Sequence, residues 1–398
     1  MTIFDEVNKI EISILGSTGS VGTQSLEIIE NLRENGGDYN VFALCAKNNV
    51  RLLENQTRKF SPAFCAVYDK KAAKELEIKI KDTNTKVLAG MEGINFISSH
   101  QKTNYVINAL MGQIGLEPTL AAIKSKKSIG LANKEPLVAA GDIVMAEAKK
   151  NSVEILPIDS EHNAIYQCLA GEGKNEIDKL ILTASGGPFY GKNKSQLKNV
   201  TLEETLRHPT WKNMGDKITV DSATMMNKGL ELVEACHLFD MSPEGIEILI
   251  HRESIIHSLV QFRDKSIKSL MGMPDIKMCI QYALTCGNGG KRERGICREL
   301  DLTEIKNLSF AKPDDETFVF PELARYAIKQ GGTLPGAMNS ANEAAVELFL
   351  DKKISFWDIF ELVQKSVEKH SNKKNPSISE IMEAAKETKK IIFAEHGR

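Results

Sequence analysis

The chain has 398 residues, enough for two or three domains with full cores. Its 42% hydrophobic and 26% charged residues exclude extended disorder, and 51 Lys+Arg against 53 Asp+Glu give a net charge of -2. That balance leaves no global positive field for a nucleic acid backbone, and no apolar run approaches the ~20 residues of a membrane span, so neither nucleic acid nor membrane is expected as a partner.

The opening run MTIFDEVNKIEISILG carries acids early and turns strand-like within about ten residues, without the pattern of a signal or transit peptide. Residues 10–15 (IEISIL) are expected as a buried strand, 16–22 as a Gly-rich turn, 23–34 as an amphipathic helix and 40–46 as a second strand. This βαβ order implies a parallel sheet. The alternation continues through 65–69, 105–112, 118–127 and 128–132 to a helix over 137–150, and a new strand, VEILPID, covers 153–159. Residues 179–184 form another strand, followed by a Gly/Pro/Asn-rich stretch, 186–216, expected to be a lid or binding loop. Residues 287–298 (GNGGKRERGICR) make a polar break, and the last ~85 residues have only helical patterns. There, Ser355 with Asp358 and Ser377 with Glu380 have the spacing of helix N-caps, and Pro335 suits a helix start. The seven Cys are odd in number and never spaced C-x-x-C, which favours reduced thiols and a cytoplasmic location over disulfides or structural zinc.

GSTGSVG (16–22) lies between strand and helix, where glycines let a backbone approach a pyrophosphate and the helix start offers N–H groups. The second strand ends in Lys47-Asn48-Asn49, with a cation and no carboxylate. An NAD enzyme usually places an acid there for the ribose 2′-hydroxyl, so NADP is favoured. Asp159 and Glu161 lie two apart after a strand. If the chain is still extended, both carboxylates share one side and suit a hard divalent cation, Mg²⁺ or Mn²⁺. In DSATMMNKGLE (221–231), Asn227, Lys228 and Glu231 share a helix face. They suit a phosphorylated polyol and a metal together, although by spacing Glu234 serves as well as Glu231. Ser185-Gly186-Gly187 and His208 are anion-grip candidates, and Trp211 is a candidate cover over a ligand.

These runs, with LANKE (131–135), PIDSEHNAI (157–165), ASGGPF (184–189), HPTW (208–211) and NSANEAAV (339–346), resemble the 1-deoxy-D-xylulose 5-phosphate reductoisomerase family over essentially the whole chain. The resemblance implies NADPH- and divalent-metal-dependent conversion of 1-deoxy-D-xylulose 5-phosphate to 2-C-methyl-D-erythritol 4-phosphate, in the non-mevalonate isoprenoid pathway. It implies a homodimer with three parts. These are a Rossmann-like NADPH domain (1–152), a catalytic α/β domain (153–290) with flap 186–216, and, after a linker (291–311), a C-terminal helical bundle (312–398). Carried over by motif, Asp159, Glu161 and Glu231 are metal ligands. Lys134, Ser160, Glu161, Ser185, His208, Ser222, Asn227, Lys228 and Glu231 contact the phosphosugar, and Trp211 and Met214 fall on the flap. Thr18, Gly19, Ser20, Val21, Lys47, Asn48, Asn49, Asn133, Glu135 and Gly215 contact NADPH. Lys134, Asp159, Glu161, His208 and Glu231 carry the chemistry.

Two rivals are weighed on residues. A phosphorylating semialdehyde dehydrogenase needs a Cys nucleophile, but Cys168 falls in a helical pattern as a core residue. An NADP-binding sensor without catalysis has no use for three oxygen ligands beside a phosphate grip.

Overall fold

The computed structural model describes residues 9–211, 215–287 and 290–396. Met214 lies outside the described residues. By its internal packing the chain divides into two compact units: 1–133 with 143–163 and 275–298, and 134–142 with 164–274 and 299–398.

The first unit is a doubly wound α/β layer. Its elements are β1 (Ile10–Leu15), α1 (Ser20–Glu34), β2 (Tyr39–Ala46), α2 (Val50–Phe60), β3 (Phe64–Val67), α3 (Lys70–Lys79), β4 (Lys86–Ala89), α4 (Gly90–Ser99), β5 (Tyr105–Asn108), α5 (Leu116–Lys124), β6 (Ser128–Leu131), then α6 (Glu135–Asn151) and β7 (Ile155–Pro157). The strands form one seven-stranded sheet in the order β4-β3-β2-β1-β5-β6-β7, and each neighbouring pair is parallel. The order reverses direction at β1, the position at which doubly wound sheets bind ligands. Burial on both faces explains the unbroken apolar runs: Ile12, Ile14 and Leu15 of β1 are fully buried. A later helix over Ile276–Thr285 packs on this unit, where the Tyr105 hydroxyl donates to the Ala283 carbonyl at 2.8 Å and Lys277 pairs with Glu27 at 2.7 Å.

α1 begins three residues earlier than its apolar spacing suggests, because the turn glycines allow the helix to start directly at Ser20. β7 ends at Pro157 and α7 (Ser160–Cys168) starts at once, so the chain is not extended at Asp159 and Glu161. Asp159 instead occupies the helix-capping position: its Oδ1 accepts from the Glu161 N–H at 3.1 Å and the His162 N–H at 3.4 Å.

The second unit holds a four-stranded mixed sheet, order β11-β10-β8-β9, from β8 (Ile177–Ala184), β9 (Ile246–Ile250), β10 (Ile256–Phe262) and β11 (Ile267–Met271). β8 pairs parallel with β9 and antiparallel with β10. Between β8 and β9 lie two one-turn helices, α8 (Lys194–Leu197) and α9 (Leu202–Thr205), then α10 (Asp216–Ala223) and α11 (Met226–Phe239). With α12 the helix at Ile276–Thr285, the tail supplies α13 (Phe320–Gln330), α14 (Leu334–Leu350), α15 (Phe356–Lys369) and α16 (Ile378–Glu395). The expected caps are present: Ser355 with Asp358 starts α15, and Ser377 with Glu380 starts α16, each as a reciprocal capping box. Phe320 and Trp357 stack on Phe360 at 4.7 and 4.8 Å between ring centres, within one core that also takes Leu180, Leu182, Val220 and Leu230.

Within the stretch 186–216, expected to be a lid or binding loop, the first part packs against the rest of this unit. Phe189 and Leu197 are buried in that core, with Phe189 edge-on to Phe356 at 5.0 Å, and capping boxes at Asn193/Gln196 and Thr201/Glu204 hold α8 and α9. DSATMMNKGLE does not open a single helix. Asp221–Ala223 end α10, Met225 sits at φ 63°, and α11 starts at Met226.

Candidate functional site

In the first unit, the Gly-rich turn leaves β1 and enters α1. A Cβ on Gly22 would lie 2.2 Å from the Gly16 carbonyl oxygen, so only glycine lets helix and turn close this tightly. No side chain caps α1, and Thr18, Gly19, Ser20 and Val21 lie at this helix start, where first-turn N–H groups are of the kind that suits a pyrophosphate. A residue not singled out from the sequence, Gln56, locks the turn: it accepts from the Ser17 hydroxyl and donates to the Ser17 carbonyl, both at 2.8 Å. A lone Gln in an amphipathic helix gives no sequence signal of that role. At the end of β2, Lys47, Asn48 and Asn49 are exposed. The Asn49 side chain is already engaged, accepting from the Leu52 N–H at 3.2 Å as the cap of α2. Asn133 is buried and donates to the Leu110 carbonyl and, at 3.1 Å, to the Gly112 carbonyl.

The same unit carries Asp159, Ser160 and Glu161 at the α7 start. His162, fully buried, meets Asp159 Oδ1 through Nδ1 at 2.9 Å and fixes that carboxylate. Its signal was available as the i,i+3 spacing from Asp159. The Ser160 hydroxyl donates to Glu161 Oε2 at 2.5 Å.

The second unit brings together two clusters. On α11, the Glu231 carboxylate is fully buried. Its Oε1 accepts from the Asn227 amide at 2.6 Å and from Lys134 Nζ at 3.4 Å, and its Oε2 from Lys228 Nζ at 2.5 Å. Two ammoniums and an amide thus pair the buried carboxylate, as a charge taken out of water requires. At the other cluster, His208 Nε2 is 3.0 Å from both the Ser185 and the Ser222 hydroxyl. His208 Nδ1 accepts the N–H of Thr210 at 3.2 Å and of Trp211 at 3.0 Å. With Nδ1 an acceptor, the neutral ring carries its proton on Nε2 and aims it at the two serines. Trp211 is half-buried, with its ring 6.4 Å from that of His257. Gly215 is the exposed residue before α10.

Glu135 is buried in this unit, and burial pushes its carboxyl pKa up although Lys217 stands 3.7 Å away. Lys217 also pairs with Asp221 at 2.9 Å, and Asp221 accepts from the Asn342 amide at 2.7 Å, tying α10 to α14. Cys168 is buried in the core, and burial pushes its thiol up to about 11, which is the environment of a packing residue and not of a nucleophile.

A doubly wound parallel sheet with an uncapped Gly-rich turn, and a second unit with a serine–histidine–serine cluster and a lysine-flanked carboxylate, define a dinucleotide-type enzyme fold built for an anionic substrate. Comparison with known proteins narrows this. Residues 12–141 match the family model for 1-deoxy-D-xylulose 5-phosphate reductoisomerase, 155–239 match the model for its C-terminal domain, and 271–391 match a further DXP reductoisomerase C-terminal domain. The reductoisomerase of Acetivibrio thermocellus is 48% identical over 381 residues, 96% of this chain and 98% of that protein. That of Clostridium tetani is 48% identical over 374 residues, 93% and 95% of the two chains. Among solved structures, the Zymomonas mobilis enzyme in complex with NADPH superposes with a TM-score of 0.90 at 36% identity, covering 98% of this chain and all of its own. A DOX-P reductoisomerase holding NADPH, fosmidomycin and magnesium gives 0.91 at 40% identity, covering 97% and 98%. The chain belongs to the 1-deoxy-D-xylulose 5-phosphate reductoisomerase family.

Proposed function

We propose that the chain converts 1-deoxy-D-xylulose 5-phosphate to 2-C-methyl-D-erythritol 4-phosphate with NADPH and a divalent cation, the reductive isomerisation step of the non-mevalonate isoprenoid pathway. The observation that carries this reading is the buried Glu231 carboxylate, flanked by Lys134, Lys228 and Asn227, in a chain whose family is set along its whole length.

We assign Asp159, Glu161 and Glu231 as the ligands of a divalent cation, since carboxylate oxygens are the donors that suit a hard ion. Such a cation, when bound, supplies Lewis acidity toward the ketone and neighbouring hydroxyl oxygens. His162 and the backbone N–H groups at the start of α7 hold Asp159 in orientation. The α1 start and the Lys47-Asn48-Asn49 turn fit NADPH, which supplies the hydride. With Asn49 engaged as a cap, Lys47 and Asn48 are the groups assigned to the 2′-phosphate. Asn133, Glu135 and Gly215 are assigned to the same cofactor.

Ser185, Ser222 and the Nε2–H of His208 bind the substrate phosphate, and Asn227 and Lys228 extend the grip. Ser160 is assigned to the substrate. Lys134 carries an ammonium able to stabilise a developing oxyanion. Binding energy from the phosphate end orients the reacting carbons. Trp211 covers the ligand and excludes water. A homodimer in the cytoplasm, with parts 1–152, 153–290 and 312–398, completes the proposal.

The test is product identification. With 1-deoxy-D-xylulose 5-phosphate, NADPH and Mg²⁺, the product is expected to be the branched 2-C-methyl-D-erythritol 4-phosphate. An unbranched reduced sugar phosphate would show reduction without isomerisation and reject the reading.

A further inference from the structure

The parallel pairing of β8 with β9 brings the residues after both strands to one end of the sheet: Ala184 pairs with Ile250, and the His251 N–H donates to the Ala184 carbonyl at 2.7 Å. From the β9 side, Arg252 reaches the turn after β8. A single nitrogen, Nη1, donates to the Ser185 carbonyl at 2.5 Å and to the Gly187 carbonyl at 2.7 Å, while the guanidinium lies over the Tyr190 ring at 5.1 Å. The turn needs this hold. Gly186 and Gly187 both have positive φ, 73° and 62°, and a Cβ on Gly187 would stand 2.7 Å from the Ser222 carbonyl oxygen. The turn is thus wedged against the residue whose hydroxyl meets His208.

Two carbonyl oxygens aimed at an incoming anion would repel it. Arg252 draws both toward itself. Because the peptide unit is planar and trans, the Gly186 N–H then points away from Arg252. The Gly187 N–H donates to Ser185 Oγ at 3.2 Å and sets that hydroxyl toward His208. The loop bearing Arg252 is itself fixed. His251 Nε2 accepts the Ile255 and Ile256 N–H groups, both at 3.2 Å, its Nδ1 donates to the Ser309 carbonyl at 2.9 Å, and its ring stacks on Phe310 at 5.0 Å. Ser254 of the same loop meets Thr210 at 3.3 Å, beside His208.

We infer that Arg252 is a positioning residue for the anionic end of the substrate. Without touching the ligand, it sets the Ser185–Gly187 turn and thereby the discrimination of phosphorylated from unphosphorylated substrate. The inference rests on the proposed function for the identity of the substrate and on the turn geometry for everything else.

The experiment compares wild type, Arg252→Met and Arg252→Lys in three readouts: kcat and KM for 1-deoxy-D-xylulose 5-phosphate, KM for NADPH, and calorimetric titration with inorganic phosphate. Loss of one charge-assisted hold is expected to raise the substrate KM and the phosphate Kd together by about tenfold in Arg252→Met. The NADPH KM and kcat are expected to stay within about threefold, on the same scale. A lysine presents one nitrogen to both carbonyls, as Nη1 does, so Arg252→Lys is expected to recover most of the loss. Unchanged phosphate Kd in Arg252→Met, or substrate KM, NADPH KM and kcat all worsening with no recovery in Arg252→Lys, would overturn the inference. If Arg252→Met does not fold, Arg252→Gln is read by the same criteria. If wild type fails to turn over the sugar phosphate, the functional reading falls while the phosphate titration still decides the role of Arg252. Absence of phosphate binding by wild type overturns that role as well.

Discussion

At the scale of single residues, the chemistry lies in how few groups are left without a fixed orientation. His208 has Nδ1 committed to two backbone N–H groups, so its remaining proton has one direction to go. Glu231 is held by an amide and two ammoniums, which keep its buried carboxylate paired and fixed in orientation for the ligand role proposed for it. Glu231→Gln is therefore expected to lower kcat by at least about a hundredfold, the scale of a lost metal ligand or its partner. The fold should persist, since the amide still accepts from Asn227. A melting curve beside a Mg²⁺ titration checks this, and full activity at ordinary Mg²⁺ would remove Glu231 from the ligand set. At the cofactor end, Lys47→Glu places a carboxylate where the 2′-phosphate is expected. Its NADPH Kd should rise about tenfold or more with the NADH Kd little changed, on the scale of one charge-assisted contact. An equal effect on both cofactors would assign the 2′-phosphate elsewhere.

At the scale of elements, the parallel sheet of the first unit was legible because period and punctuation agreed: apolar runs at 10–15 and 40–46, a Gly-rich turn, and an amphipathic helix between them. The helical tail was legible from Ser355/Asp358 and Ser377/Glu380. What local patterns do not carry is the fate of D-x-E. Period two suggested an extended pair, but Pro157 ends the strand, and the free N–H groups of the α7 start draw Asp159 into a capping role. The candidate site was legible as residue types and spacings. His162 could be found by its i,i+3 spacing from Asp159, whereas the positioning groups Gln56 and Arg252 could not, because each acts on backbone atoms of a segment distant in sequence. The return of α12 to the first unit is likewise a tertiary fact with no local signature. The loop after β8 gives a test at this scale. Leu197 is fully buried, so Leu197→Ala is expected to cost roughly 2–5 kcal/mol of stability. Denaturant midpoints measure this, and a change below about 0.5 kcal/mol, the usual range of surface substitutions, would mean α8 is not anchored in the core.

At the scale of the whole molecule, the proposed function divides the work between the two units: the first has an uncapped helix start assigned to a dinucleotide, and the second has the hydroxyls, imidazole and ammoniums assigned to a phosphosugar. Ligand linkage gives each part its own signature. NADPH at about a hundred times its Kd should add roughly 2.7 kcal/mol to the stability of whatever unfolds with its site. NADH at the same concentration should add clearly less, and equal shifts in a thermal melt would contradict the assignment of the Lys47-Asn48-Asn49 turn. The central claim, that reduction depends on both the phosphosugar and a divalent cation, is tested most directly by one measurement: the loss of nicotinamide absorbance on mixing the protein with NADPH and 1-deoxy-D-xylulose 5-phosphate, with chelator and after adding Mg²⁺ or Mn²⁺ back. The expected result is oxidation only when sugar phosphate and metal are both present, abolished by chelator and restored by either cation. Oxidation that continues undiminished in excess chelator, or none with both cations supplied, would contradict it.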